Sequence, residues 1–214
     1  MKKAIKPSNR HSTNRGKVFL AFLVLLVLAT VIAWLVVQRD DMRNQQAQQT
    51  SSTTLTDAEQ FAVDYPGVGA NNPFVYASSE DTISLFESGT GLVYLGFTEC
   101  PWCQAIAPLI EKAAQNEDFG RVEYLNIREA REANDKTYQQ LIGKLSEYLD
   151  KDEEGNPRIY VPDITALKNG KIVARFEMEE TSEGEMSDGP TSYWTDERKN
   201  RAIKQLQNMI RQTL

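Results

Sequence analysis

Between residues 91 and 116 the chain reads GLVYLGFTECPWCQAIAPLIEKAAQN, and this stretch limits the possible folds more than any other. Leu92 to Phe97 (LVYLGF) is a short apolar run rich in β-formers, bounded by Gly91 on one side and a Cys-x-x-Cys on the other. Such a run predicts a buried central strand. Directly after it, Ala105, Ile106, Leu109, Ile110 and Ala113 recur at helical spacing. Pro101 suits the first helical turn, where no amide partner is lost, and Pro108 lies inside the pattern and predicts a kink. A buried strand that runs straight into a helix is the signature of an α/β domain.

The remaining segments extend that reading. Thr56-x-x-Glu59 is a capping-box pattern that predicts a short helix ending before Pro66. Residues 73–77 (PFVYA) and 121–127 (RVEYLNI) read as strands, and Asp81 to Glu87 as a helix ending at Gly89. A long helix is expected from Ala133 to Leu149, with Tyr138, Leu141, Ile142, Leu145 and Leu149 on one face. Ile164–Leu167, a turn at Asn169-Gly170 and Lys171–Phe176 predict a hairpin, and Asp196–Leu214 a closing helix with Ile203, Leu206 and Ile210 inward. The alternation implies a sheet of mixed direction covered by helices on both faces. Residues 179–194 (EETSEGEMSDGPTSYW) are too polar and Gly-rich to assign to an element.

Cys100 and Cys103 are the only cysteines, and His11 is the only histidine. These counts leave no Ser–His or Cys–His dyad and no Cys/His zinc site in the main domain, so no metal is expected. The two thiols are the strong nucleophiles that remain. At a strand-to-helix junction the first sulfur meets the unpaired amides and the positive end of the helix dipole, which favour a thiolate. Cys100 would then attack a disulfide and Cys103 would resolve the mixed disulfide. A structural disulfide closing so short a loop would add little stability. Trp102 offers a flat apolar contact for partners, or a shield over the disulfide.

Charge is unevenly spread. The first 37 residues carry six bases and no acids, which leaves 18 bases against 30 acids in the rest of the chain. An acidic main domain argues against nucleic acid; its acids either solvate the surface or suit a cationic partner. Residues 18–37 (VFLAFLVLLVLATVIAWLVV) are uncharged and span about 30 Å as a helix, the thickness of a hydrocarbon core. With bases before it and Asp40 and Asp41 after it, the run predicts a single-pass signal-anchor in the cell membrane, its N-terminus cytoplasmic. A cleaved signal peptide would normally have a shorter apolar region. The expected organisation is a basic cytoplasmic tail (1–17), a transmembrane helix (18–37), a polar tether (38–54) and an extracytoplasmic domain (55–214).

The segment FTECPWCQAIAPLIEKAA resembles the active-site region of the thioredoxin superfamily, including the proline within the helix. IYVPDITALKNGKIV is similar to that superfamily's second signature, a cis-proline that starts a strand opposite the CxxC. The resemblance covers Pro73 to about Phe176 and the last helix. It implies a thioredoxin-like fold, a cis Val161-Pro162 peptide, substrate pairing with the Val161 backbone, packing of Pro162 against the disulfide, and no cofactor beyond the redox-active Cys100–Cys103 pair. The NPRIYVPD stretch and the long helix before it also resemble membrane-tethered thioredoxin-like proteins of Gram-positive bacteria, some called bacteriocin transport accessory proteins. Two positions depart from the family pattern. Tyr94 stands where thioredoxins carry a buried Asp six residues before the first Cys, and Glu99 stands where a Trp usually precedes it. A carboxylate beside Cys100 would oppose its ionisation unless Glu99 points to solvent.

The expected activity is therefore thiol–disulfide exchange on exported proteins or peptides that carry thiols or disulfides, with a separate partner recycling the pair. The alternative is an accessory binding protein for an exported, cationic peptide such as a bacteriocin. The direction of electron flow is not written in these residues.

Overall fold

In the computed structural model, residues 55–179 and 188–214 are described. The basic tail, the apolar run 18–37 and the tether expected at 38–54 lie outside them. Among the described residues no helix is long and apolar enough to cross a membrane.

The elements follow in the order α1 (Asp57–Asp64), β1 (Phe74–Tyr76), α2 (Ser79–Ser88), β2 (Gly91–Gly96), α3 (Pro101–Asn116), β3 (Val122–Asn126), α4 (Arg128–Ala133), α5 (Lys136–Leu145), β4 (Asp163–Lys168), β5 (Lys171–Arg175), α6 (Pro190–Tyr193) and α7 (Asp196–Thr213). One sheet of five strands runs β1-β3-β2-β4-β5. β1 and β2 both pair with β3 in parallel, whereas β4 is antiparallel to β2 and to β5. The mixed α/β class expected from the element order is what the chain adopts.

Position in the sheet explains which face each helix covers. The chain steps from β1 past β3 to β2, then reverses to β3, so right-handed crossovers place α2 and α3 on opposite faces. The strand period of two splits the core accordingly. Leu92 and Tyr94 of β2 join Phe61, Tyr65, Ile106, Ile110, Leu206 and Ile210 on the face of α1, α3 and α7. Val93 and Leu95 join Ile83, Phe86, Tyr138, Leu141 and Leu145 on the face of α2 and α5. β2 is buried on both sides, as a continuous apolar run requires.

Local signals are met where their chemistry is complete. Thr56 and Glu59 form the reciprocal capping box that opens α1. Pro108 sits inside α3 without ending it. In the hairpin, Asn169 and Gly170 both take positive φ, 52° and 74°, the pattern of a two-residue turn that matches strand twist. The Gly170 N–H donates to the Gly89 carbonyl at 2.7 Å, and a Cβ there would lie 2.3 Å from the Glu87 oxygen, so only glycine fits.

The long helix expected at Ala133–Leu149 is corrected by the structure. α4 ends at Ala133, Asn134 turns left-handed at φ 48°, and Asp135 caps a new helix by accepting the Tyr138 N–H at 2.9 Å. α5 stops at Leu145 and passes through a short 3-10 turn at Ser146–Tyr148. The expected apolar face survives the break, with Tyr138, Leu141 and Leu145 buried and Ile142 and Leu149 packed at its margin. Of the segment left unassigned by sequence, its last residues form the single turn α6, which buries Tyr193 and Trp194.

Candidate functional site

β2, the central strand, delivers the chain to the carboxyl end of its own run, and Cys100 becomes the N-cap of α3 with extended backbone (φ −83°, ψ 114°). The four residues between strand and helix are held locally. The Cys100 N–H donates to the Phe97 carbonyl at 3.2 Å, and the Gln104 amide donates at 2.8 Å to the carbonyls of both Thr98 and Asp64. The Cys103 N–H donates to the Cys100 sulfur at 3.2 Å, so the sulfur occupies the place of a helix-capping oxygen. Both cysteines are free thiols. Cys100 is 7% exposed and Cys103 is fully buried beneath it.

That arrangement separates the two ionisations. The hydrogen bond from the Cys103 thiol, then the backbone N–H groups of Cys103 and Trp102 and the positive charge of Arg131, outweigh burial and lower the Cys100 thiol to about 7. Burial, then the adjacent Cys100, push Cys103 strongly upward, with the Tyr94 phenol partly opposing. Cys100 is the group that ionises first. Glu99, the neighbour that threatened this ordering, is exposed and ion-paired to Arg128 at 2.8 Å. Its own backbone N–H and Arg128 hold its carboxyl below the ordinary carboxylate range. The solvent-facing alternative for Glu99 is the one the fold adopts.

The second signature meets the first in space. The Val161–Pro162 peptide is cis and enters β4, which pairs with β2. The Val161 carbonyl oxygen lies 3.9 Å from the Cys100 sulfur. Cys100, Cys103 and the Val161–Pro162 bend, separated by some sixty residues of chain, therefore form one locus. Trp102 is half-buried, with its ring edge-on to Tyr193 at 5.4 Å, and Tyr193 in turn meets Trp194 at 4.9 Å. The indole is thus held from one side by α6.

No family model and no curated protein matches the chain.

Two groups of residues take roles at the site that the sequence does not reveal, although Tyr94 among them stands out there by its position. Behind Cys103 lies a cluster of buried phenols. The Tyr94 O–H donates to the Cys103 carbonyl at 3.1 Å, and the Tyr65 O–H donates to the Tyr124 hydroxyl at 2.9 Å. Their rings pack at 5.3–6.2 Å and against Phe61 and Phe74. Burial raises all three phenols, so they stay protonated as donors. A tyrosine in an apolar run is indistinguishable from any core aromatic until its neighbours are known. On the outer side, Arg128 and Arg131 approach the Phe97 ring, with the Arg131 guanidinium carbon 4.8 Å from its centroid. Among the described residues no group of three or more His, Cys, Asp or Glu side chains could hold a metal ion.

Proposed function

We propose that this protein is a thioredoxin-like thiol–disulfide oxidoreductase, anchored by residues 18–37 and acting on exported proteins or peptides. The observation that carries the reading is the paired state of its thiols. Cys100 caps α3, accepts a backbone N–H and ionises near neutral pH, while Cys103 is held neutral beneath it. Such asymmetry is what sequential thiol exchange needs and what a purely structural pair does not.

In the reductive direction the Cys100 thiolate attacks one sulfur of a substrate disulfide. A Cys100–substrate bond forms and the substrate S–S bond breaks, releasing one thiolate that takes up a proton. Cys103 then loses its proton and attacks the Cys100 sulfur, closing the Cys100–Cys103 disulfide and expelling the second substrate thiolate. Two electrons pass from the protein to the substrate, and the oxidative direction reverses each step. The closeness of the Val161 carbonyl to the Cys100 sulfur supports pairing of the Val161 backbone with an extended substrate segment. The uncharged run with bases before it supports the anchor and the outward orientation.

Replacing Cys103 with Ala in the full-length protein tests the reading directly. Mixed disulfides through Cys100 should accumulate and be released by dithiothreitol, and they should be absent when Cys100 is also replaced by Ser. A Cys103→Ala protein whose Cys100 stays reactive yet never captures a partner would rule out the exchange. Equilibration against thiol buffers then assigns direction, since potentials near about −270 mV belong to reductants and near about −120 mV to disulfide donors.

A further inference from the structure

We propose that Arg131 and Arg158 form a carboxylate-binding subsite beside Cys100, which selects peptide substrates bearing an acidic residue next to the reacting cysteine. The inference rests on the oxidoreductase reading above and adds a substrate class to it.

Two separate parts of the chain bring these cations to the site. The Ile127 N–H donates to the Gly96 carbonyl at 3.1 Å, which fixes the start of α4 against the end of β2. Arg131, on α4, lies over the ring of Phe97, whose carbonyl accepts the Cys100 N–H. Arg158 lies 5.6 Å over the ring of Tyr160, the residue before Val161. Both arginines line one recess of about 390 Å³. Its wall includes the buried Tyr138, whose hydroxyl accepts the Ile159 N–H at 3.2 Å and ties the Arg158 segment to α5.

The recess lining carries two bases and two acids, yet its guanidiniums are not ion-paired within it. Arg121, Arg128, Arg175, Arg201 and Arg211 each meet a carboxylate. Among the described residues Arg131 and Arg158 make no ion pair, only their aromatic contacts. Asp152 and Glu154 also line the recess. Asp152 is committed to its own turn, accepting the N–H groups of Glu154 and Asn156 at 3.1 and 2.8 Å, and Glu154 is exposed. Neither comes within ion-pair distance of the two guanidiniums. A guanidinium stacked on a ring keeps its planar fork of N–H donors free, and that fork matches a carboxylate. Both arginines are half-buried, so a pair formed here is less screened than one on the open surface. The domain as a whole is acidic, so the preference expected at this rim is opposite to the one its net charge suggests.

The test compares three short peptides of identical backbone with Glu, Gln or Lys beside a serine that replaces the reacting cysteine. Binding to the full-length reduced protein is followed by fluorescence anisotropy. The Glu peptide should bind about tenfold more tightly than the Lys peptide, with the Gln peptide between them, and added salt should narrow the gap. In the double variant R131Q/R158Q the gap should close to about twofold or less, and Arg158→Glu should favour the Lys peptide. Equal binding of the Glu and Lys peptides by the unmodified protein, no measurable binding of the Glu peptide, or a Glu preference that survives both Gln substitutions would each overturn the subsite. The corresponding cysteine peptides are assayed for exchange separately. Absence of exchange with all three would remove the oxidoreductase reading, whereas exchange that ignores the flanking charge would remove only the subsite.

Discussion

The phenol of Tyr94 donates its proton to the backbone carbonyl of Cys103 at 3.1 Å, from a position with no access to solvent. It is one of the groups that lower the cost of ionising Cys103 in surroundings that otherwise oppose it. Replacing Tyr94 with Phe keeps the ring and removes the donor. The Cys103 carbonyl is neutral and such a bond contributes about 0.5–1.5 kcal/mol, so losing it should slow resolution of the mixed disulfide by about two- to tenfold. The pH profile of that step should move upward, because the Cys103 thiol is pushed further up. Rapid-quench trapping of the mixed disulfide at several pH values measures both effects.

Alkylation by iodoacetamide should titrate Cys100 with a midpoint at about 7 and leave Cys103 unmodified in the folded protein. Arg131→Gln removes one of the favourable charges and should shift the midpoint upward. The same ionisation is linked to folding. A thiol whose folded value lies below its unfolded value of about 8.5 stabilises the native state above that unfolded value, and the gain is lost as pH falls through about 7. The reduced protein should therefore gain stability relative to Cys100→Ser as pH rises from about 7 to about 8.5, read from denaturant midpoints.

Arg175→Ala should be among the most damaging single changes outside the CxxC. Arg175 reaches from β5 to the buried carboxylate of Asp163, which follows Pro162 directly and also accepts the Thr165 hydroxyl at 2.8 Å. Removing one partner of a buried pair costs about 3–5 kcal/mol, because the other charge is left uncompensated. Urea unfolding of Arg175→Ala and of Arg175→Lys should show a large loss in the first and a partial one in the second.

Gly170→Ala should destabilise the domain by about 2 kcal/mol or more, combining a left-handed backbone with a Cβ that overlaps the Glu87 carbonyl. Thermal unfolding measures it. The same change at Gly143, where an added Cβ meets nothing within 4 Å, lies inside α5 and should be neutral or stabilising by about 1 kcal/mol.

The strand–CxxC–helix unit and the hairpin were legible because each carries its signal within a dozen residues. A buried strand needs a continuous apolar run, a helix needs its period, and a two-residue turn needs Asn-Gly. The division between α4 and α5 was hidden for the opposite reason. Asn134 and Asp135 are tolerated on a helix surface, and only their backbone, left-handed and then capping, reveals the break. Of the site, the thiols and the Val161–Pro162 bend could be read from motifs. Tyr65 and Tyr124 could not, because their contact depends on the end of α1 packing against β3. Arg131 and Arg158 could not either, since only the folded chain places them on one recess.

The left-handed turn at Asn134 also has an evolutionary consequence. It decouples α4, which has no buried residue, from α5, whose apolar face is locked into the core. A continuous helix would have tied both to one rotation, so any change at the rim would have been felt in the interior. With the break in place, most charges on α4 can drift through generations while the packing beneath stays as it is, Arg131 excepted because its charge reaches the Cys100 thiol. Homologous chains that share this break can thus diversify in the clients they accept without first having to survive a loss of foldedness.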